Sequence, residues 1–217
     1  KKLNILIGWL RLPFGLCSSP EIFQQQLTSL LKDLKGIEII ADDILIYGVG
    51  DTIEEATIDH NIKLENLLKR LQEVNCKLNK EKVNLLQTSV KFYGHILSKD
   101  GLKVDESKVD AIKNMPTPIS SKDVLRFLGM VGYLSKFINN LSMKATNLRK
   151  LTRKDTEFVW SEKEETEFQN LKNVISNLPV LKYFDINKEV VIECDASEYG
   201  LGAALYQNNQ IICFASR

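Results

Sequence analysis

The stretch Gly36-Ile37-Glu38-Ile39-Ile40-Ala41-Asp42-Asp43-Ile44-Leu45-Ile46-Tyr47-Gly48 restricts the fold more than any other part of the chain. Two short apolar runs flank a pair of adjacent carboxylates. Runs of this length read as buried strands, and Asp42-Asp43 between them reads as the tip of a hairpin. A tip turns the backbone into solvent, so two acids there can face a shared cleft and hold a divalent cation against substrate phosphates. Neighbouring strand residues point to opposite faces, so the two need not be equal partners. The competing reading is that Asp-Asp only favours a turn.

Composition narrows the function classes. The chain has 217 residues, of which 44% are hydrophobic and 26% charged, enough apolar surface for one or two domains with a core. A formal net charge of +1 gives no overall basic excess of the kind nucleic-acid binders usually carry, although a local basic face remains open. Cys17, Cys76, Cys194 and Cys213 are far apart and His60 and His95 are isolated, which argues for reduced thiols and against a zinc site. No apolar run is long enough for a membrane span and the N-terminus lacks a signal-peptide pattern, so an intracellular, cytoplasmic protein without membrane contact is expected. Lys1 to Leu12 mixes apolar and basic residues without a period and starts without methionine, as a truncated start would.

Pro13-Phe14-Gly15-Leu16 forms a breaker-rich loop. Ser18-Ser19-Pro20-Glu21 then signals a helix N-terminus, with Phe23, Leu27, Leu30 and Leu34 expected on one face until Lys35-Gly36 closes it. After the acidic hairpin, a capping box at Asp51-Thr52-Ile53-Glu54-Glu55 opens a helix expected to bury Ile58, Ile62, Leu67, Leu71 and Val74. Val90 to Leu97 alternates as a strand and pairs with Leu102 to Val104 through an Asp100-Gly101 turn. Ser107 to Asn114 reads as a short helix, and Ser120-Ser121-Lys122-Asp123 caps another with Val124, Phe127, Leu128 and Val131 on its inner face. A capping box from Ser161 to Glu164 starts a further helix carrying Phe168, Leu171 and Ile175. The period then switches to strand: Val190 to Asp195, Gly200 to Leu205, and Ile211 to Ala215 after an Asn208-Asn209 turn, the first strand ending on its acid.

Leu12-Pro13-Phe14-Gly15-Leu16, then Pro20 and Phe23-Gln24, then Ala41-Asp42-Asp43-Ile44-Leu45, in this order and spacing, resemble the palm of reverse transcriptases from gypsy-type long-terminal-repeat retrotransposons. The resemblance implies that Phe14, Gly15, Pro20 and Gln24 line the site of the incoming nucleotide and template. It also implies that Asp42, the principal ligand, and Asp43 bind catalytic magnesium, or manganese in its place. Ile40 stands where the family usually has an aromatic residue. Lys82 falls where these enzymes carry a lysine near the triphosphate, a proton donor to pyrophosphate, followed here by Val83 instead of the usual cysteine. Phe92, Gly94 and His95 match the loop that grips the primer backbone. Leu125-Arg126-Phe127-Leu128-Gly129, Tyr133 and Lys136-Phe137 resemble the thumb, with Arg126 and Lys136 candidates for phosphate contact. Asp195-Ala196-Ser197, with Gly200, Gly202 and Ala215-Ser216-Arg217, resembles the opening of the ribonuclease H domain, making Asp195 its first metal-binding carboxylate.

The expected architecture is therefore α+β: a partial reverse-transcriptase palm over 1–97 with its acidic β-hairpin, a helical thumb over 98–150, a connection helix within 151–188, and the first strands of a ribonuclease H-like domain over 189–217. The resemblance implies an interior piece of a retroelement polyprotein, an RNA-directed DNA polymerase with attached ribonuclease H using two-metal nucleotidyl transfer. Its partners would be an RNA template, a DNA primer, an RNA–DNA hybrid, deoxynucleoside triphosphates and the rest of the polyprotein. The family's other palm aspartate would lie upstream of Lys1, so the chain alone is expected to be inactive. Two other readings stay open: a decayed or domesticated relative that still holds nucleic acid without catalysis, and an unrelated α/β module in which Asp42-Asp43 is only a turn.

Overall fold

A computed structural model describes residues 11–198 and 200–217, so most of the basic, apolar start at Lys1 to Leu12 lies outside the described residues. Packing divides the chain into two compact units, 1–87 and 88–217. That division precedes the sequence-based palm boundary at 97, because the strands from Ser89 onward form a sheet with residues that follow them.

In the first unit, α1 (Ser19–Leu31), β1 (Ile37–Ile40), β2 (Asp43–Ile46) and α2 (Ile53–Glu73) surround a small core. β1 and β2 form an antiparallel two-stranded sheet with Ile37 opposite Ile46, Ile39 opposite Ile44 and Ile40 opposite Asp43. Its inward face, Ile37, Ile39, Ile44 and Ile46, packs on Leu27, Leu31, Leu67 and Leu71. The period-2 pleat turns Asp43 and Leu45 to the other face.

The helical faces differ from the sequence reading. On α1 the core takes Leu27 and Leu31, one turn apart, whereas Phe23 and Leu30 remain 47% and 39% exposed. On α2 only Leu67 and Leu71 are buried, and Ile58 and Ile62 are exposed. The reason is size: a two-stranded sheet of four-residue strands covers about two turns of a helix, so only the apolar residues over that footprint leave water. The Thr52–Glu55 capping box forms as its sequence signals, and the cap backbone N–H of Thr52 donates to Glu55 Oε2 at 3.2 Å. The expected serine cap of α1 does not form. Ser19 Oγ instead donates to the Pro13 carbonyl at 2.7 Å and folds the Pro13-Phe14-Gly15 loop back on the helix start.

The second unit holds two three-stranded sheets, β3 (Ser89–Phe92), β4 (His95–Ser98) and β5 (Gly101–Val104), then β6 (Val191–Ser197), β7 (Gly200–Gln207) and β8 (Gln210–Ser216). Between them in sequence come α3 (Glu106–Lys113), α4 (Ser121–Tyr133), α5 (Leu141–Lys144), α6 (Thr146–Lys150) and α7 (Glu162–Ser176). The alternating run from Val90 to Leu97 is two strands and not one, because Tyr93 and Gly94 both have positive φ, 46° and 70°, and reverse the chain in a two-residue turn. Asn208 and Asn209, at φ 50° and 58°, turn β7 into β8 as their sequence signals.

One core runs through this unit. Val124, Phe127 and Val131 of α4 meet Phe168, Leu171 and Ile175 of α7, with Phe137, Ile138 and Leu148 completing it. The Phe127 and Phe168 rings lie 4.6 Å apart and tilted by 56°, a favourable aromatic geometry. Leu181 joins the sheets: it exchanges two backbone hydrogen bonds with Leu102 of β5, at 2.8 and 3.0 Å, and Lys182 N donates to Ile211 O of β8 at 2.8 Å. Gly101, at φ 130°, permits this approach, since a Cβ there would meet the Leu181 carbonyl at 2.1 Å.

Candidate functional site

The hairpin tip is Ala41-Asp42 and not the expected Asp42-Asp43, because Asp43 is already the first residue of β2 and pairs with Ile40. Ala41 has φ 54°, a left-handed conformation that an alanine adopts only under constraint. The constraint is Gln24, half-buried on α1. Its Oε1 accepts from the Ala41 amide, and its Nε2 donates to the Ile39 carbonyl at 3.1 Å and to Thr28 Oγ1 at 3.0 Å. Asp42 and Asp43 are exposed, and neither carboxylate has a protein hydrogen-bond or ion-pair partner among the described residues. Two hard, uncompensated oxygen ligands side by side fit a divalent cation. Among the described residues, no group of three or more His, Cys, Asp or Glu side chains is placed to hold a metal ion, so this pair would be one part of a ligand set.

The residues assigned to the nucleotide side lie in the same unit. Phe14 is fully exposed, Gly15 sits at φ 88°, and Pro20 is exposed in the first turn of α1. Lys82 ends a short 3-10 turn, Lys80–Lys82, with its side chain in solvent. Gln24 is the exception, because its amide is spent on the hairpin.

The turn at Tyr93-Gly94 forms a second cluster. Tyr133, the last residue of α4, donates its hydroxyl to the Tyr93 carbonyl at 2.7 Å and stacks on His95 with ring centroids 5.3 Å apart. Lys108 Nζ lies 4.8 Å from the Tyr133 ring. A Cβ on Gly94 would meet the Tyr133 hydroxyl at 2.5 Å, which explains the glycine. Phe92 is half-buried and Tyr93 is 62% exposed, so the turn presents backbone and a phenol ring to solvent. The imidazole of His95 is turned inward instead, 8% exposed between Tyr133 and Phe137, and its Nδ1 has no hydrogen-bond partner among the described residues.

Burial, with smaller contributions from Lys136 and Lys108, pushes the His95 pKa down from 6.5 to about 4. The folded protein therefore keeps His95 neutral between those values while the unfolded chain binds the proton, so stability falls as pH drops from 6.5 through 4. This site alone is expected to lower stability measurably across that window. Hydrogen exchange of the β4 and β5 amides at pH 7 and pH 4.5 measures it. His95→Phe should lose clearly less protection on acidification than the wild type; equal losses would exclude His95 as the source.

Asp195 was expected to end its strand. It lies inside β6 instead, opposite Gly202, because the ladder continues through Ala196–Leu201 and Ser197–Gly200. β6 is an edge strand, exposed along its length, and Asp195 makes no side-chain hydrogen bond or ion pair among the described residues. Asp195 thus lies two positions before the β6–β7 turn and bonds to none of the described residues of that turn. Gly202 serves packing as well: Asn140 Oδ1 would lie 1.8 Å from a Cβ there.

Sequence reasoning missed the long-range polar ties. Glu167 of α7 accepts from the backbone N–H of Asn147 and Leu148 at the start of α6. Gln207, 4% exposed, holds the 185–188 loop through both ends of its amide. Neither Gln24, Glu167 nor Gln207 has a local pattern that marks its partner.

Similar solved structures define the class of this chain first. The foamy viral protease-reverse transcriptase dRH in complex with double-stranded DNA matches with TM-score 0.83 and 25% identity, over 96% of this chain and 37% of that one. The same viral enzyme in complex with RNA/DNA hybrid matches with TM-score 0.80 and 25% identity, over 96% of this chain and 28% of that one. The fold is that of a reverse transcriptase.

Residues 2–97 match the family of reverse transcriptases (RNA-dependent DNA polymerases), and 160–217 match the RNase H-like domain found in reverse transcriptase. The chain thus carries a reverse-transcriptase segment followed by an RNase H-like segment, and it resembles the Pol polyproteins of transposons. The retrovirus-related Pol polyprotein from transposon 297 of Drosophila melanogaster is 35% identical over 96% of this chain. The transposon Tf2-3 polyprotein of Schizosaccharomyces pombe is 30% identical over 93% of it. The chain spans 20% and 15% of the lengths of these two relatives.

Proposed function

We propose that this chain supplies the second half of the polymerase palm, the thumb and the opening of the ribonuclease H of a retroelement polyprotein, which copies RNA into DNA in the cytoplasm. The observation that carries the reading is the pair Asp42, on the braced hairpin tip, and Asp43, first in β2, both exposed and with no side-chain partner among the described residues, in a chain with a reverse-transcriptase segment. Asp42 and Asp43 would hold magnesium or manganese as part of a larger ligand set, and the cation would supply Lewis-acid charge for two-metal phosphoryl transfer. Phe14, Gly15 and Pro20 shape the side on which nucleotide and template lie, and Lys82 offers a proton to the departing pyrophosphate. The Tyr93-Gly94 turn contacts primer phosphate and sugar through its backbone, a contact that positions without reading sequence. Phe92 and the buried His95 support that turn from beneath, and Asp195 is a carboxylate of the nuclease. The foamy viral relatives, bound to double-stranded DNA and to RNA/DNA hybrid, support nucleic acid as the partner.

Primer extension on an RNA template tests the reading. A polyprotein of the relatives' length that contains this chain should extend the primer in magnesium. The 217-residue chain by itself should stay at background, because a two-carboxylate set is incomplete and metal sites act as units. Template-dependent extension by the purified short chain would overturn the incomplete-site account. Absence of extension by the long protein would overturn the polymerase reading.

A further inference from the structure

Gln24 stands where the family resemblance implies a nucleotide or template contact, yet its amide is already committed. Oε1 accepts from the Ala41 N–H and Nε2 donates to the Ile39 carbonyl at 3.1 Å and to Thr28 Oγ1 at 3.0 Å. A side-chain amide that engages its oxygen with one backbone donor and its nitrogen with two acceptors has little left for a ligand. Its partners span the turn: Ile39 lies on β1 just before the tip, and Ala41 is the left-handed tip residue directly before Asp42.

The hairpin needs such a tie. It has two strands of four residues each, a sheet too small to hold a strained turn by its own ladder. Ala41 lacks both the freedom of glycine and a side chain that can bond back to the turn, so left-handed φ must be imposed from outside. Packing of Ile37, Ile39, Ile44 and Ile46 on α1 and α2 secures the inward face of the ladder, but that cluster does not include Ile40, Ala41 or Asp42. Among the described residues, Gln24 is the side chain that hydrogen-bonds the backbone there.

We infer that Gln24 is a positioning residue for the acidic pair: it pins the Ala41-Asp42 turn to α1, and so presets the direction in which Asp42 and Asp43 offer their oxygens to a divalent cation. The inference rests on the polymerase reading for its catalytic consequence, but the brace itself does not. A ligand held in place beforehand loses less freedom when the ion binds, so a loosened tip should show as weaker use of metal and a slower chemical step. A nucleotide or template contact would instead raise KM for that substrate with kcat largely kept.

Two variants and two measurements separate the outcomes. In the 217-residue chain, hydrogen exchange at the Ala41 amide reads the brace directly. Gln24→Leu, which removes both donor and acceptor while leaving α1 a good helix, should speed that exchange by about tenfold or more with Leu27 and Leu31 amides unchanged. Gln24→Glu keeps an acceptor for Ala41 and should retain its protection. In the full-length polymerase, Gln24→Leu should lower kcat by about tenfold or more and raise the magnesium concentration for half-maximal extension, with KM for deoxynucleoside triphosphate unchanged. Unchanged Ala41 exchange in Gln24→Leu overturns the brace. Lost exchange protection with an effect on KM alone overturns the positioning role and restores a substrate contact. If the wild-type polymerase extends no primer, the polymerase reading falls, and the brace is then decided by the Ala41 exchange alone.

Discussion

Asp42→Asn in the full-length polymerase should reduce primer extension by roughly a thousandfold or more while shifting the melting temperature by no more than about 2 °C. The two halves of this expectation have separate causes. Asp42 is exposed at a hairpin tip and makes no hydrogen bond or ion pair among the described residues, so the folded state loses no contact when its charge is removed. Asparagine keeps the shape and one carbonyl oxygen but removes the formal charge that a hard divalent cation requires. Asp43→Asn should also be severe, but less so. Asp43 is already a strand residue, paired with Ile40 and turned to the face opposite the core, so it approaches the same space from a different direction. Steady-state extension and a thermal melt of the same preparations check both. Wild-type extension by the Asp42→Asn enzyme would end the metal-site reading, and a large loss of melting temperature would assign Asp42 a structural role instead.

Asp195→Asn should bring cleavage of the RNA strand in an RNA–DNA hybrid down by about a hundredfold or more, yet leave primer extension near wild type. Asp195 lies on the exposed edge strand β6, opposite Gly202, with its carboxylate bonded to no described residue. An acid with no local partner on a rigid strand is placed to serve a ligand, and it contributes little to holding the strand. Strand position also explains the expected independence from the palm, since Asp195 and Asp42 belong to separately packed units. Measuring both activities on one preparation decides the matter. Hybrid cleavage at the wild-type rate would remove Asp195 from the nuclease, and joint loss of both activities with the melting temperature would make it structural.

Local chemistry was legible in the sequence at several places where the determinants lie within a few residues of one another, although the serine cap of α1 does not form. The Thr52–Glu55 and Ser161–Glu164 capping boxes, the Asn208-Asn209 turn and the two apolar strands around Asp42-Asp43 all form as their patterns imply. Capping, turn conformation and strand alternation are set by short-range sterics and hydrogen bonding, so a single window contains the whole cause. The acidic pair, the Tyr93-Gly94 turn and Asp195 stand out in the sequence by motif order alone, and their roles belong to the proposed function.

Tertiary structure decided what those residues touch. Periodicity placed Phe23, Leu30, Ile58 and Ile62 on inward faces, but the small β1–β2 sheet leaves them uncovered, because burial depends on the extent of the opposing surface and not on the helix alone. The run from Val90 to Leu97 splits at Tyr93-Gly94, and the Tyr133 hydroxyl, far along the chain, bonds the Tyr93 carbonyl there. Gln24 reads from its motif as a substrate contact and is held in the structure by Ala41 and Ile39. Amide groups bond whatever backbone the fold brings within reach, and that proximity is a property of chain closure over tens of residues, which no local pattern encodes.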